Sequence, residues 1–238
     1  MSNFFHIAID GPVAAGKGTI SRIIAERLGF LYIDTGAMYR VAAMIAINNG
    51  VDFNDVTKLV DLIDKTEIKM HNPVDSEKDG RLTTVIANGE DVSWKIRTED
   101  AGQGAAIVGQ ISEVRKVLVR KQQEISQTQN VVMEGRDITY RVLPNANLKI
   151  YLTGKDFVRA NRRHIQLQSR GIDLSFNQVY MDLIHRDKID MERDTDPLKI
   201  VEDAWVIDTT DLSIDQVVNL VVFKVKIMQE TLSQNGQK

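Results

Sequence analysis

Residues 4–19 read FFHIAIDGPVAAGKGT, an apolar run followed by a loop of small residues. The run from Phe4 to Asp10 has the length and composition of a buried strand, and Ile20, Ile23 and Ile24 have the spacing of a helix. A loop of this kind between a strand and a helix binds phosphate well, because its backbone N–H groups and the positive helix end face the anion. The stretch therefore predicts a phosphate-binding loop.

All residues of this loop are expected to contact the phosphates of a nucleotide, and they are Gly11, Pro12, Val13, Ala14, Ala15, Gly16, Lys17, Gly18 and Thr19. Lys17 would reach the outer phosphates. In the strict pattern a serine or threonine follows the lysine directly, whereas here Gly18 separates Lys17 from Thr19. The alternative is a plain strand-to-helix turn, but such a turn needs no loop of this length before Gly-Lys.

Further short apolar runs alternate with segments of helical period, which is the pattern of a parallel sheet covered on both faces. These runs are Leu31 to Asp34, Asn130 to Met133, Leu148 to Leu152 and Ala204 to Ile207. With Phe4 to Asp10 they predict an α/β fold with a five-stranded parallel sheet and helices on both faces. We expect one domain over residues 1–238.

The stretch from Thr66 to Trp94 has a different pattern. Glu67 to Met70 and Leu82 to Ala87 are predicted strands, and Asn88-Gly89 is a strong signal for a hairpin turn. We therefore expect a small antiparallel β insert at about residues 66–94.

Composition narrows the possible partners. The chain has 30 basic and 33 acidic side chains, a formal net charge of −3, and no cysteine. The charge argues against nucleic acid or an anionic membrane as a partner, and the missing thiols exclude disulfides and a cysteine nucleophile. Since no apolar run approaches the length of a membrane span and the start has no basic segment, we expect a cytoplasmic protein.

Polar clusters follow two of the predicted strands, where ligands bind in open α/β sheets. The first is DTGAMYR, residues 34–40, in which Arg40 would bind a second phosphate. Its alternative interpretation is that Thr35 caps a helix and Arg40 is solvated. The second is EGRD, residues 134–137, for which a surface ion pair between Arg136 and Asp137 is the alternative.

Two basic motifs lie farther along the chain. The first has one acid, Asp156, among the basic residues Lys155, Arg159, Arg162, Arg163 and Arg170. It predicts a short helical lid over about residues 155–171 that closes on phosphates, and a solvated basic helix is the alternative. The second motif, R-x3-D-x2-R, consists of Arg186, Asp190 and Arg193, and a salt-bridge ladder within one helix would also explain its spacing.

Together these motifs resemble bacterial cytidylate kinases over nearly the whole chain. The matching segments are GPVAAGKGT, DTGAMYR, IRTED (96–100) followed by Val114-Arg115, EGRD, RANRRHIQLQ (159–168), R-x3-D-x2-R and DTTDLSIDQVV (208–218). The resemblance implies a P-loop kinase that uses ATP with Mg²⁺ to phosphorylate CMP or dCMP. It also implies that residues 66–94 form the insert on the side of the nucleoside monophosphate, and we expect a monomer.

The resemblance also implies roles for individual residues. Residues 11–19 would hold ATP, and Lys17, Arg136, Arg159, Arg162 and Arg163 would act on the transferring phosphoryl group. The residues expected to bind CMP are Arg40, Arg136 and Arg193 at its phosphate, Arg115 and Asp137 at the base, Arg186 and Asp190 at the ribose, and Thr35 and Tyr39 along the pocket.

Two departures from the family pattern leave the substrate preference open. Ala106 stands where many relatives have a serine at the base, and Thr139-Tyr140 replaces a usual Gly-Thr. The nearest alternative is a kinase of UMP, AMP or a shikimate-like metabolite. A nucleotide-binding regulator without transferase activity would not need arginines on the side of the phosphate acceptor. A nucleic-acid-binding module conflicts with the net charge of the chain.

Overall fold

The computed structural model describes residues 4–169 and 171–235. The strands in these residues are β1 (His6–Asp10), β2 (Leu31–Asp34), β3 (Ile68–His71), β4 (Thr84–Ala87), β5 (Glu90–Asp91), β6 (Val131–Gly135), β7 (Leu148–Thr153) and β8 (Trp205–Asp208). The α-helices are α1 (Lys17–Leu28), α2 (Thr35–Asn48), α3 (Val56–Lys65), α4 (Glu99–Val108), α5 (Ser112–Ser126), α6 (Asp156–Gln168), α7 (Phe176–Glu192) and α8 (Ile214–Asn235).

A five-stranded parallel sheet with the order β2-β6-β1-β7-β8 forms the centre of the fold. This confirms the predicted sheet. Alternate residues of each strand point to opposite sides of the sheet. In this sheet the apolar residues on each side pack into a separate core cluster. Ala8 packs into a cluster with α2, α3 and α5, whereas Ile7 and Ile9 pack into a second cluster with α1 and α8.

The predicted small antiparallel sheet is also present. Strands β3 and β4 pair antiparallel, and β4 continues through the turn Asn88-Gly89 into the two-residue strand β5. Asn88 and Gly89 both have positive φ, 48° and 84°, which is the geometry that Asn-Gly favours in a hairpin.

Local pattern did not predict helix α4, which packs against α2. Its sequence, EDAGQGAAIV, contains two glycines, and glycine weakens a helix signal. The structure gives a packing reason for Gly104, because a Cβ there would lie 2.8 Å from the Cβ of Ala43 and 3.1 Å from the ring of Phe53.

The chain carries polar side chains at the carboxyl ends of neighbouring strands. The parallel register places Asp34 of β2 beside Glu134 of β6, and Asp10 of β1 beside Gly135. The phosphate-binding loop and both polar clusters therefore meet at one edge of the sheet. Among residues 4–169 and 171–235, no helix has the length and apolar character needed to cross a membrane.

Candidate active site

The loop between β1 and α1 passes very close to a neighbouring strand. A Cβ at Gly11 would lie 2.1 Å from the carbonyl oxygen of Leu152, so only glycine fits there. Ala14 has a φ of 57°, an uncommon conformation for a residue with a side chain. The first turn of α1 begins directly after Gly16, and its free N–H groups are therefore available to an anion.

Lys17 lies over this loop rather than in solvent. Its side chain is buried, and Nζ donates a hydrogen bond to the carbonyl oxygen of Pro12 at 2.8 Å. Burial and the charge of Arg136 lower the pKa of Lys17, while the carboxylate of Glu134 counteracts them. The predicted phosphate lysine and the arginine of the EGRD motif therefore share one site.

A buried ion pair from α6 and α7 holds the loop at Val13. The carboxylate of Asp187 accepts a hydrogen bond from Val13 N at 2.8 Å, and Arg159 Nη1 donates to the carbonyl oxygen of Val13 at 2.7 Å. Arg159 and Asp187 also bond to each other at 2.6 Å, and both are at most 5% exposed. In this structure Arg159 thus contacts the loop backbone.

The remaining donors of Arg159 bond to protein acceptors as well, the carbonyl oxygen of Gly154 and the carboxylate of Asp156. Sequence reasoning gave no role to Asp187, although a signal was available. Asp187 continues the buried positions Val179 and Leu183 at a spacing of four, and an acid on the apolar face of a helix requires a partner.

The other predicted arginines of the lid lie half-buried on α6. Arg162 donates to the hydroxyl of Thr209 at 2.8 Å and to its carbonyl oxygen at 2.5 Å. Arg163 Nη1 donates to Gln166 Oε1 at 2.7 Å. Arg170, the last basic residue of the predicted lid, lies outside the described residues.

Thr35 lines the site but does not cap α2. Asp34 caps that helix by accepting from Ala37 N at 3.2 Å, so the alternative role of Thr35 as a helix cap is wrong. The hydroxyl of Thr35 instead donates to the carbonyl oxygen of Glu134 at 2.8 Å. It thereby joins the ends of β2 and β6.

The EGRD and R-x3-D-x2-R motifs meet across the site. Arg136 Nε donates to Asp190 Oδ2 at 2.7 Å, and Arg193 Nη1 lies 3.9 Å from Asp190 Oδ1. Asp190 on α7 is therefore closer to Arg136, the residue that follows β6, than to Arg193 at the end of its own helix. Asp137 does not pair with Arg136, as the surface-pair alternative required, but with the buried guanidinium of Arg115.

Asp137 and Arg115 form the inner end of this site. Both are nearly inaccessible, at 6% and 2% exposure, and the ring of Tyr39 lies 5.6 Å from the Arg115 guanidinium carbon. Burial raises the pKa of Asp137, while the guanidinium groups of Arg115 and Arg193 counteract the effect. The two predicted base-reading residues are thus brought together as a buried donor and acceptor pair.

The outer part of the site collects positive charge. Burial lowers the pKa of Arg40, and the nearby guanidinium groups of Arg97, Arg186 and Arg163 lower it further against the opposing charge of Asp34. Arg186 is exposed at the surface, yet partial loss of solvent around it and repulsion from Arg136 also lower its pKa, against the opposing charges of Asp190 and Asp187. Mutual repulsion among guanidinium groups indicates a site for an anion with several charges.

The two departures from the family pattern are in different environments. Ala106 is exposed on α4. Thr139 is buried, and its hydroxyl and backbone N donate to Asp10 Oδ2 at 2.7 and 2.8 Å. Asp10, another acid without a predicted role, also accepts from Ile138 N at 3.0 Å and so ties the end of β1 to the turn after Asp137.

A parallel sheet with a phosphate-binding loop after β1, and with an arginine-rich acceptor side at the same edge, defines a P-loop kinase. The profile of the family described as cytidylate kinase matches residues 7–227. The chain belongs to the cytidylate kinase family. It is therefore a phosphotransferase of the nucleoside monophosphate kinase class, and this class implies ATP and nucleotide substrates.

Individual relatives agree with this assignment. A cytidylate kinase from Shouchella clausii (strain KSM-K16) is 41% identical, over 95% of this chain and 98% of the relative. One from Caldicellulosiruptor bescii is 43% identical, over 91% and 93%. The cytidylate kinase of Bacillus subtilis (strain 168) is 40% identical, over 95% and 98%. The family predicted from the sequence motifs is thereby confirmed.

Proposed function

We propose that this protein transfers the γ-phosphoryl group of ATP to CMP or dCMP, producing ADP and CDP or dCDP. The observation that carries the proposal is the arrangement of charge along one edge of the sheet. Lys17 of the phosphate-binding loop lies near Arg136, which also lies near Arg186. The buried pair Arg115 and Asp137 belongs to the same site, where Arg193 faces Asp137. The cytoplasmic location and the monomeric state stay predictions.

The transfer needs alignment and positive charge rather than a covalent intermediate. Its transition state is loose, with negative charge spread over the oxygens of the moving group. Lys17 and Arg136 would stabilise that charge, and residues 11–19 would hold the other phosphates of ATP through backbone N–H groups. Arginine suits this site because its guanidinium stays charged and binds phosphate oxygens in pairs.

The acceptor nucleotide would lie between α2, α7 and the end of β6. Its phosphate would contact Arg40, Arg136 and Arg193, and Arg186 with Asp190 would contact the ribose. The base would then reach the buried end of the site, next to Arg115, Asp137 and Tyr39. Thr35, fixed to the end of β6, would line the same pocket.

The residues present also suit a Mg²⁺ ion that accompanies ATP. Among residues 4–169 and 171–235, no group of three His, Cys, Asp or Glu could hold a metal ion, and Mg²⁺ bound mainly by phosphate oxygens needs no such group. Glu134 Oε1 lies 3.6 Å from where a Cβ on Gly18 would stand, so this carboxyl faces the loop. Burial raises the pKa of Glu134, and a divalent cation beside it would lower that pKa and favour the carboxylate. Glu134 and the hydroxyl of Thr19 would hold the ion, which would neutralise phosphate charge.

The direct test is ADP release from ATP with CMP, dCMP, UMP, AMP and shikimate offered in turn. We expect CMP and dCMP to be preferred. Cytosine presents an amino donor to the carboxylate of Asp137, whereas uracil presents its O4 acceptor there. Preference for AMP or for shikimate would contradict the proposal and favour the alternative kinases.

Asp137→Asn is expected to narrow the preference for CMP over UMP by roughly tenfold or more. Its amide oxygen can still accept from Arg115, while its amide nitrogen can donate to O4 of uracil. A site discriminates strongly against a substrate that leaves its buried polar groups without partners. Exchanging one such group should therefore change the ratio of kcat/KM for CMP over UMP. The measurement is kcat/KM for CMP and for UMP in both proteins.

Asp215→Asn, the same change at an exposed residue on α8, serves as the control. An unchanged ratio in Asp137→Asn would show that Asp137 does not read the base.

Replacing Arg162 and Arg163 together by alanine is expected to lower kcat by on the order of tenfold, with a much smaller effect on the CMP dissociation constant. We propose that these residues turn toward the phosphates when the lid closes, a step that affects turnover more than acceptor binding. Stopped-flow turnover and calorimetric CMP binding would separate the two effects. Arg120→Ala, at an exposed arginine on α5, is the control. Equal turnover in the wild type, the double variant and this control would show that α6 is a solvated basic helix and not a lid.

A further inference from the structure

The chain between α7 and β8 crosses the acceptor site as a strap, residues 194–199. Two hydrogen bonds fix its course. The hydroxyl of Tyr140 donates to the carbonyl oxygen of Pro197 at 2.6 Å, and Leu198 N donates to the carbonyl oxygen of Asp190 at 2.7 Å. Leu198 is buried, so the strap is anchored by apolar packing as well.

Asp196, in the middle of the strap, contacts several arginines at once. Its Oδ2 accepts from Arg115 Nε at 3.0 Å, and its Oδ1 lies 3.5 Å from Arg141 Nε. Its carbonyl oxygen accepts from Arg193 Nε at 2.9 Å. Asp196 has a φ of 49°, a left-handed conformation that aspartate, asparagine and glycine tolerate better than other residues.

The hydrogen bonds of Arg115 show why this acid matters. Arg115 is only 2% exposed, so each edge of its buried guanidinium needs an acceptor within the protein. Nε bonds to Asp196, Nη1 bonds to the carbonyl oxygen of Gly109 at 3.1 Å, and Nη2 bonds to Asp137 Oδ2. Asp137 Oδ1 faces Arg193 Nη2 at 3.9 Å, beyond hydrogen-bond distance.

We infer that Asp196 is a specificity-determining residue that keeps Asp137 Oδ1 available for the amino group of the base. By accepting from Nε of Arg115, Asp196 limits that guanidinium to a single bond with Asp137. Without Asp196, the edge of Arg115 that carries Nε would turn toward Asp137, because an arginine and a carboxylate prefer two parallel bonds. Both oxygens of Asp137 would then be occupied. This inference rests on the proposed function.

Asp196→Gly tests the inference because it removes the carboxylate without conflicting with the positive φ. We expect the ratio of kcat/KM for CMP over UMP to fall by roughly tenfold, mainly through the KM for CMP, as loss of a hydrogen bond to a charged group predicts. The KM for ATP should stay within about twofold, since the strap lies on the acceptor side. Asp196→Asn should retain most of the selectivity, because its amide oxygen can still accept from Nε.

Asp194→Gly is the matched control, since it makes the same change two residues away at an exposed residue of the strap. If thermal unfolding shows that Asp196→Gly is not folded, Asp196→Ser supplies the short side chain instead. A purely structural role would lower the stability and both kcat/KM values while leaving their ratio unchanged, and that result would overturn the inference.

The proposed function can fail separately. A wild-type protein that phosphorylates no pyrimidine nucleotide would contradict the proposed function. A wild-type protein that phosphorylates CMP and UMP equally well would contradict the inference and leave the proposed transfer to CMP in place. Loss of selectivity in Asp137→Asn together with full selectivity in Asp196→Gly would contradict the role of Asp196 alone.

Discussion

Lys17→Ala is expected to leave the protein folded and to lower kcat by roughly 10² to 10³, the usual effect of removing one donor that stabilises a transition state. Burial and Arg136 lower the pKa of Lys17, and phosphate oxygens beside it would raise that pKa and favour the ammonium form. The substitution also removes the hydrogen bond to Pro12, which should reduce the free energy of unfolding by only about 1 kcal/mol.

Steady-state kinetics with saturating ATP and CMP would measure this loss, and urea unfolding would confirm that the variant is folded. Lys224→Ala, at an exposed lysine on α8, controls for the loss of one positive charge. Turnover within a few-fold of the wild type would contradict the assignment of residues 11–19 as the phosphate-binding loop.

Asp187→Ala is expected to lower the free energy of unfolding by about 3 kcal/mol, because the buried guanidinium of Arg159 loses the carboxylate that compensates its charge. The value lies at the low end for such pairs, since Arg159 keeps its bond to Asp156. Val13 N would lose its acceptor at the same time. We therefore also expect a higher KM for ATP, because the loop that holds its phosphates would be less well ordered.

A double variant separates the two effects. Arg159→Met with Asp187→Leu replaces the ion pair by apolar groups and should recover part of the stability, but not the affinity for ATP. Asp182→Ala, at an exposed acid on the same helix, is the control. If Asp187→Ala unfolds at the same urea concentration as the wild type, the pair does not hold the loop.

The fold could be predicted because each strand carries its own local signal. The predicted run Leu31 to Asp34 agrees with β2 at both ends, and Leu148 to Leu152 ends one residue before β7 does. Helix α4 was missed, since Gly104 weakens the local pattern and its reason lies in the close contact with Ala43 on α2. Local patterns report how a segment is buried, not what it is buried against.

For each site residue, the sequence predicted only its chemical type and its place at a strand end or on a helix. The partners of these residues could not be predicted, because Val13 and Asp187 are 174 residues apart in the chain, and Arg115 and Asp196 are 81 apart. One interpretation of the EGRD motif paired Asp137 with Arg136, whereas the structure pairs Asp137 with Arg115. The lid role of Arg162 and Arg163 stays a prediction.

Hydrophobic period and contiguous motifs were enough to predict the five-stranded sheet, the phosphate-binding loop and the family. The folded chain was needed to establish the strand order, the contact of Arg159 with Val13 and the sharing of Arg115 between Asp137 and Asp196. The physical reason is that a buried charge must find a partner, and several acids of this chain could have served. Which one does so depends on the distances that the folded chain creates.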